Sequence, residues 1–242
     1  RRGAQMNEAA GKAPGVLQFE GLSGGYGTAE VVRDASGAVA AGEVLCIIGR
    51  NGVGKSTLVK MVCGHLRCRQ GRILFNGRPI DALDATGRRR AGISYCPQER
   101  PVFDDLNVRD NLTLMRPDRS VDVFAPCFER FPILSRRLTQ PAGTLSGGEK
   151  KLLSFTRAWA EAQPLWVLDE PSEGVQWENI LHMQALIEAR RAQGTGFVVV
   201  EQNLAFAERI ASRYLVLEQG RVTLAGPANG IDRAALVEHL KV

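Results

Sequence analysis

The stretch EVLCIIGRNGVGKST, Glu43–Thr57, joins an apolar run to a glycine-rich turn. Its apolar run Val44–Ile48 has no polar alternation, which suits a strand buried on both faces of a parallel sheet. Gly49-Arg50-Asn51-Gly52-Val53-Gly54-Lys55-Ser56-Thr57 follows without a gap and fits G-x-x-x-x-G-K-[ST]. Thr57–Cys63 then continues as a helix. Strand, glycine-rich turn and helix form the context in which backbone N–H groups wrap a phosphate chain and a helix N-terminus adds partial positive charge. Asn51, Gly52, Gly54 and Thr57 belong to this cradle, Lys55 reaches the β/γ-phosphates, and the Ser56 hydroxyl can ligate Mg²⁺. A plain glycine turn is the bland alternative, and it leaves the flanking strand and helix unexplained.

Working outward, the chain alternates in the same grammar. Val16–Phe19 reads as a first strand and "GLSGGYG" as a loop. "GRILFNGRPI" reads as two short strands around an Asn76-Gly77 turn, and Ile93–Cys96 as a further strand. Residues 104–145 change character: Asp104-Asp105 can cap a helix, Val108–Met115 has helical spacing, and four prolines punctuate the rest. A helical insertion is expected there. Helices over 148–162, 177–192 and 203–211 then alternate with strands over 165–169, 197–200 and 213–217, which requires crossover connections. A hairpin around Gln219-Gly220 and a helix from about Asp232 close the chain. Residues 1–15 have no apolar period and are expected to be a flexible arm. The fold class is α/β, with residues 16–103 and 146–242 as one core and about 104–145 as a helical subdomain.

The bulk numbers bound the partners. The 242 residues are 44% apolar and 24% charged, an ordinary globular balance. No run approaches the ~18 apolar residues of a membrane span, so a membrane role must come through a partner. No secretory leader is recognisable. The net charge of +5 is only mildly basic. Arg88-Arg89-Arg90 is the one dense basic cluster, and without aromatic platforms it reads as a solvated loop or protein contact rather than a nucleic-acid site. Cys46, Cys63, Cys68, Cys96 and Cys127 form no Cys-x-x-Cys pair and read as reduced packing residues of a cytosolic protein, not a metal site.

Two further motifs carry chemistry. In "LWVLDE", Leu165–Glu170, a buried strand ends in two carboxylates. Asp169 suits a Mg²⁺ shell and Glu170 a general base that orients an attacking water; an acidic cap before Pro171 is the bland reading. Leu145-Ser146-Gly147-Gly148-Glu149 is a second anion site, with Ser146 as N-cap and two glycines allowing close approach. By composition this pentapeptide arises by chance in fewer than about one chain in a thousand, so it discriminates strongly. One phosphate cradle plus a separate phosphate-facing helix start makes sense if two chains pair head-to-tail across ATP.

The order and spacing of these motifs resemble the ATPase subunit of ABC transporters. The resemblance covers nearly the whole chain after residue 15. It implies a P-loop NTPase (RecA-like) core with an antiparallel β subdomain and a helical signature subdomain. The Walker A, signature and Walker B motifs are then the three stretches above. Gln98 in "YCPQ" becomes the glutamine that touches Mg²⁺ and the attacking water, and Tyr26 the aromatic that stacks on adenine. Their bland readings are a solvated loop residue and a loop aromatic packing on the core. The resemblance places Val102 and Phe103 where the family meets a coupling helix of its membrane subunit, though they could simply pack the insertion.

Two departures narrow the branch. Glu173-Gly174-Val175-Gln176 stands where the broad family reads Ser-Gly-Leu-Asp. Gln202 in "VVVEQN" stands at the switch position usually held by His, 32 residues after Glu170. Both resemble the importers of branched-chain amino acids, urea and short amides. The resemblance implies an ATP- and Mg²⁺-dependent motor, peripheral on the cytoplasmic face of the membrane. Its partners are membrane-spanning permease subunits, a second ATPase chain (like or unlike) and a solute-binding protein, with no nucleic acid. Gln202 then donates to the γ-phosphate, or else only terminates its strand. Exporter or lipid-extraction ATPases and soluble non-transport ABC ATPases are the alternatives; "LSGGE" excludes a P-loop kinase or helicase.

Overall fold

A computed structural model describes residues 16–240, so the arm expected over residues 1–15 lies outside the described residues. The order is β1 (Leu17–Gly24), β2 (Val32–Val39), β3 (Val44–Ile48), α1 (Lys55–Val62), β4 (Gln70–Phe75), β5 (Arg78–Pro79), α2 (Ala85–Ala91) and β6 (Ile93–Cys96). Next come α3 (Val108–Thr113), α4 (Ala125–Arg130) and α5 (Pro132–Arg136), with single 3-10 turns among them. α6 (Gly147–Glu161), β7 (Leu165–Asp169), α7 (Trp177–Ala192), β8 (Gly196–Glu201), α8 (Leu204–Ile210), β9 (Arg213–Glu218), β10 (Arg221–Pro227) and α9 (Arg233–Leu240) complete it.

Two sheets result. The larger has the order β10-β9-β3-β8-β7-β6 and is parallel except for the β9–β10 hairpin. The smaller, β2-β1-β4-β5, is antiparallel. Strand parity assigns the core. Leu45, Ile47, Val167, Val198 and Val200 face α1 and the antiparallel sheet. Cys46, Ile48, Trp166, Leu168, Phe197 and Val199 face the other way, in one core with α6, α7 and α3–α5. Trp166 centres that second layer, with ring centroids of Phe197, Phe155 and Trp159 at 5.5, 5.8 and 6.4 Å. Every residue of β3, β7 and β8 is buried, which is why these strands read as unbroken apolar runs.

Several local expectations hold. Asn76 and Gly77 both have positive φ, 48° and 74°, the two-residue hairpin turn that Asn-Gly favours. The cysteines are free, and four of the five are buried. Others need correction. "GLSGGYG" is not wholly a loop: β1 runs on through Gly24, because Leu22 and Gly24 still pair with Ala35 and Val32 of β2. Asp104-Asp105 does not cap a helix; Asn107 does, its Oδ1 accepting from Asp110 N at 2.7 Å, while Asp104 accepts from Lys150 Nζ at 2.8 Å.

The basic cluster is corrected in part. Arg89 and Arg90 are surface residues of α2, but Arg88 is 3% exposed. Its Nη1 donates to the Met61 and Val62 carbonyls at 2.6 and 2.8 Å, and its Nε to Leu83 O at 3.0 Å. Met61 and Val62 end α1, so a cation there also complements the helix dipole. Arg88 therefore braces the far end of the helix that starts at Lys55.

Candidate functional site

The C-terminal ends of β3, β7 and β8 bring the motif residues together. Ile48 pairs in register with Glu201, and Asp169 with Val200. Ligands gather at this edge in open parallel sheets. Gly52 and Gly54 adopt φ of 78° and 108°, a region that L side chains avoid, and a Cβ on Gly52 would meet nothing within 4 Å. The turn therefore offers backbone to open space while Thr57 is buried on α1 beneath it.

Lys55 is 4% exposed and its Nζ donates to Gly49 O and Arg50 O at 2.8 and 2.9 Å. The same Nζ stands 3.5 Å from Glu170 Oε1. Burial pushes the ammonium below its usual range, opposed by the Glu170 carboxylate. Ser56 Oγ donates to Asp169 Oδ1 at 3.0 Å and Tyr95 OH to Oδ2 at 3.2 Å. Burial raises the Asp169 carboxyl, and these two hydrogen bonds pull it back.

Glu170 is the hub. It is buried, and its φ of +50° is rare for a residue with a side chain, a backbone outlier of the kind that collects at functional sites. Gln98 Nε2 donates to Oε2 and Gln202 Nε2 to Oε1, both at 2.7 Å. Both glutamines thus converge on one carboxylate. Gln202 lies one residue beyond β8, and its amide reaches the same Glu170 oxygen that stands 3.5 Å from Lys55 Nζ.

The signature segment starts α6 as expected. Ser146 Oγ accepts from Glu149 N at 3.3 Å and Glu149 Oε2 accepts from Ser146 N at 2.8 Å, a reciprocal capping box. Its glycines differ. A Cβ on Gly147 would meet nothing within 4 Å, whereas one on Gly148 would lie 2.5 Å from Gly174 O. Gly148 serves a close approach within this chain, and Gly147 faces open space. Gly148→Ala should cost about 1–3 kcal/mol, because a backbone oxygen must move. Gly147→Ala should stay within about 0.5 kcal/mol of wild type. Denaturant unfolding of both variants checks this, and equal losses would contradict it.

Tyr26 lies on the turn after β1 and is 50% exposed, so the ring is not a core residue. Val102 is buried and Phe103 is 52% exposed, so only Phe103 is available as a contact. It borders a groove of about 680 Å³ that also includes Gln98, Arg89, Met115 and Arg157. Val102 also lines this groove, and of the motif residues only Gln98 and Asp169 do.

Three contributors had little or no sequence signal. Tyr95 is an ordinary β6 residue until β6 pairs with β7, which sets it beside Asp169. Lys151 Nζ donates to Glu170 O at 3.1 Å and lies 3.7 Å from Glu173 Oε2, a reach across from α6. Glu201 follows the apolar run in "VVVEQN", where the sequence does not show which way its side chain points. It is 2% exposed and takes hydrogen bonds from Ser172 N, Ser172 Oγ, Gln202 N and Asn203 N at 3.0, 2.9, 3.2 and 3.2 Å.

Burial raises the Glu201 carboxyl from 4.5 to about 7, although those donors pull it down. A folded pKa above the unfolded one stabilises fully at low pH, and that stabilisation fades as pH rises from about 4.5 to about 7. Wild type should therefore lose on the order of 2–3 kcal/mol relative to Glu201→Gln across that window. Denaturant midpoints at pH 4.5 and 7.5 measure it; a pH-independent difference between the two proteins would show that the carboxyl titrates normally.

Comparisons with known proteins agree with this geometry. The ABC transporter family model matches residues 32–173. The chain is 36% identical over 214 residues to the high-affinity branched-chain amino acid transport ATP-binding protein BraG of Pseudomonas aeruginosa, covering 86% of this chain and 91% of BraG. It is 34% identical over 216 residues to the lipopolysaccharide export system ATP-binding protein LptB of Acidithiobacillus ferridurans, covering 87% and 90%. A solved ATP-binding subunit of an ABC transporter superposes with a TM-score of 0.81 at 29% identity, covering 93% of this chain and 99% of that one. With cradle, paired carboxylates and signature helix on one P-loop NTPase fold, the chain belongs to the ABC transporter family and is one of its ATPases.

Proposed function

We propose that the chain is the motor subunit of an importer for a small polar solute: a branched-chain amino acid, urea or a short amide. The supporting observation is Gln202, an amide in the switch position held 2.7 Å from Glu170, together with the similarity to BraG. ATP lies with its phosphates on the Asn51–Thr57 backbone and Lys55, and its adenine on Tyr26. A second ATPase chain, like or unlike, supplies Ser146, Gly147 and Gly148 from the opposite side. Asp169 and Ser56, in contact at 3.0 Å, offer oxygens that suit Mg²⁺ and would hold it, and Gln98, bound through its amide nitrogen to Glu170, would add its amide oxygen. When bound, that ion neutralises phosphate charge. Glu170 takes the proton of the attacking water, Gln98 and Gln202 hold its carboxylate in place, and Gln202 exchanges that bond for the γ-phosphate as the site closes.

The family's partners suit this surface. No helix among the described residues is long and apolar enough to cross a membrane. The exposed Phe103 on the 680 Å³ groove is the contact we assign to the permease subunits. A solute-binding protein completes the importer, which puts this chain on the cytoplasmic face. Similarity to LptB favours a second reading, lipopolysaccharide export. Cells lacking this chain decide between them. Loss of labelled branched-chain amino acid, urea or short-amide uptake supports import; intact uptake with lipopolysaccharide held back from the surface supports export.

The switch amide has its own test. Gln never carries charge, whereas His titrates near neutrality. Gln202→His should add an inflection on the acidic limb of the pH–rate curve, and superimposable curves from about pH 5.5 to 8 would refute a contact with the reacting phosphate.

A further inference from the structure

One buried carboxylate at the sheet edge, that of Glu201, takes no part in the reaction above. Glu201 has the parity of Phe197 and Val199, so it faces away from the phosphate cradle, toward the layer that holds α6 and α7. There it accepts four hydrogen bonds and returns none. Two come from Gln202 and Asn203, the N–H groups that set where the switch amide leaves its strand. Two come from Ser172, the second residue after Glu170. One carboxylate thus clamps the residues following both catalytic strands.

The Ser172 side continues to the signature helix. Ser172 O accepts from Val175 N at 3.1 Å, closing the turn that carries Gly174. Gly174 O lies so close to Gly148 that a Cβ there would stand 2.5 Å away. Lys151, one turn on, binds Glu170 O and pairs with Glu173. The turn at residues 172–175 is therefore held between Glu201 and the start of α6. A buried acceptor satisfied by four donors is costly to disturb, so this geometry has few alternatives.

We propose that Glu201 is a positioning residue that couples the Glu170–Gln202 pair to the N-terminus of this chain's own α6, through Ser172 and the Gly174 turn. The phosphate end of one site and the helix offered to the other site then move together. The proposal rests on the reading of Glu170 and Gln202 as the hydrolytic pair.

The test uses the full-length chain with MgATP and three variants, Glu201→Gln, Ser172→Ala and Ser172→Thr. In Glu201→Gln, kcat should fall at least tenfold while KM for ATP stays within threefold. Ser172→Ala should move the same way, and Ser172→Thr, which keeps the hydroxyl, should recover most of the rate. Amide hydrogen exchange without nucleotide should quicken at 172–176 and at 147–150 together, leaving β3 and β7 protected. Unchanged kcat overturns the proposal, as does quicker exchange confined to 201–203. A parallel loss of kcat and ATP affinity with uniformly faster exchange would reduce Glu201 to a folding residue. If Glu201→Gln does not fold, the two Ser172 variants decide by the same readouts. Wild-type chain that hydrolyses no ATP would sink the hydrolytic reading, while the exchange pattern, which needs no turnover, would still judge the coupling.

Discussion

Glu170→Gln lowers steady-state ATP hydrolysis by about 10²–10⁴-fold, the range of a lost general base, while ATP binding persists. The substitution is close to isosteric, and the site can absorb it. Each Glu170 oxygen accepts one amide N–H, from Gln98 and from Gln202. A carboxamide presents one oxygen and one NH₂, so one of the flanking glutamines must turn its own oxygen inward, which an amide can do by flipping. The unusual backbone of Glu170 is held by main-chain bonds independent of the side chain, from Glu170 N to Val200 O at 3.0 Å among others. The expected product is an ATP-loaded pair of chains that persists. Sedimentation of the variant with MgATP, beside a turnover assay, checks both halves. Undiminished hydrolysis would remove Glu170 from its role.

Lys55→Ala fails one step earlier. Its ammonium holds the Gly49 and Arg50 carbonyls and is the cation nearest the Glu170 carboxylate, with Asp169 also close enough to act on it. Without it, phosphates would approach two carboxylates with no fixed countercharge, and the turn would lose two hydrogen bonds. A buried charge of this kind acts in a low-dielectric site, so kcat/KM should drop by at least about 10²-fold. Affinity for a non-hydrolysable ATP analogue, measured by calorimetry, should drop at least tenfold. The two variants therefore separate: Glu170→Gln binds and does not turn over, and Lys55→Ala does not bind well. Parent-like affinity in Lys55→Ala would show that the cradle is elsewhere.

The pair of glycines in the signature shows how like residues divide their labour. Both lack a side chain, but a Cβ would collide with this chain's Gly174 O at Gly148 and meet nothing at Gly147. The start of α6 is therefore tied to the turn after β7 through Gly148.

Much of this is legible in the sequence. Unbroken apolar runs at Val44–Ile48 and Leu165–Leu168 and the run ending at Val200 specify strands buried on both faces, and a parallel sheet must then gather their C-terminal edges. Local chemistry specified the Asn76-Gly77 turn and the Ser146 cap in the same way. β2 was not legible, because Val32–Val39 is half exposed and interrupted by Asp34 and Gly37, and its strand character comes from pairing with β1. Nor was the burial of Arg88, since a basic run looks solvated until a neighbouring helix end supplies carbonyls for it.

Periodicity and short-range spacing act within a few residues, so the buried strands β3, β7 and β8, the glycine-rich turn before α1 and the Ser146 cap are written locally in the chain. Which partners meet across long separations depends on how the strands pack. Gln98 and Gln202 share one carboxylate, Tyr95 reaches Asp169, and Glu201 turns its back on the phosphates to hold Ser172. The physical reason is strand parity and register: one residue of shift sends a side chain to the opposite face, and that choice is made by the neighbouring strands, not by the residue itself.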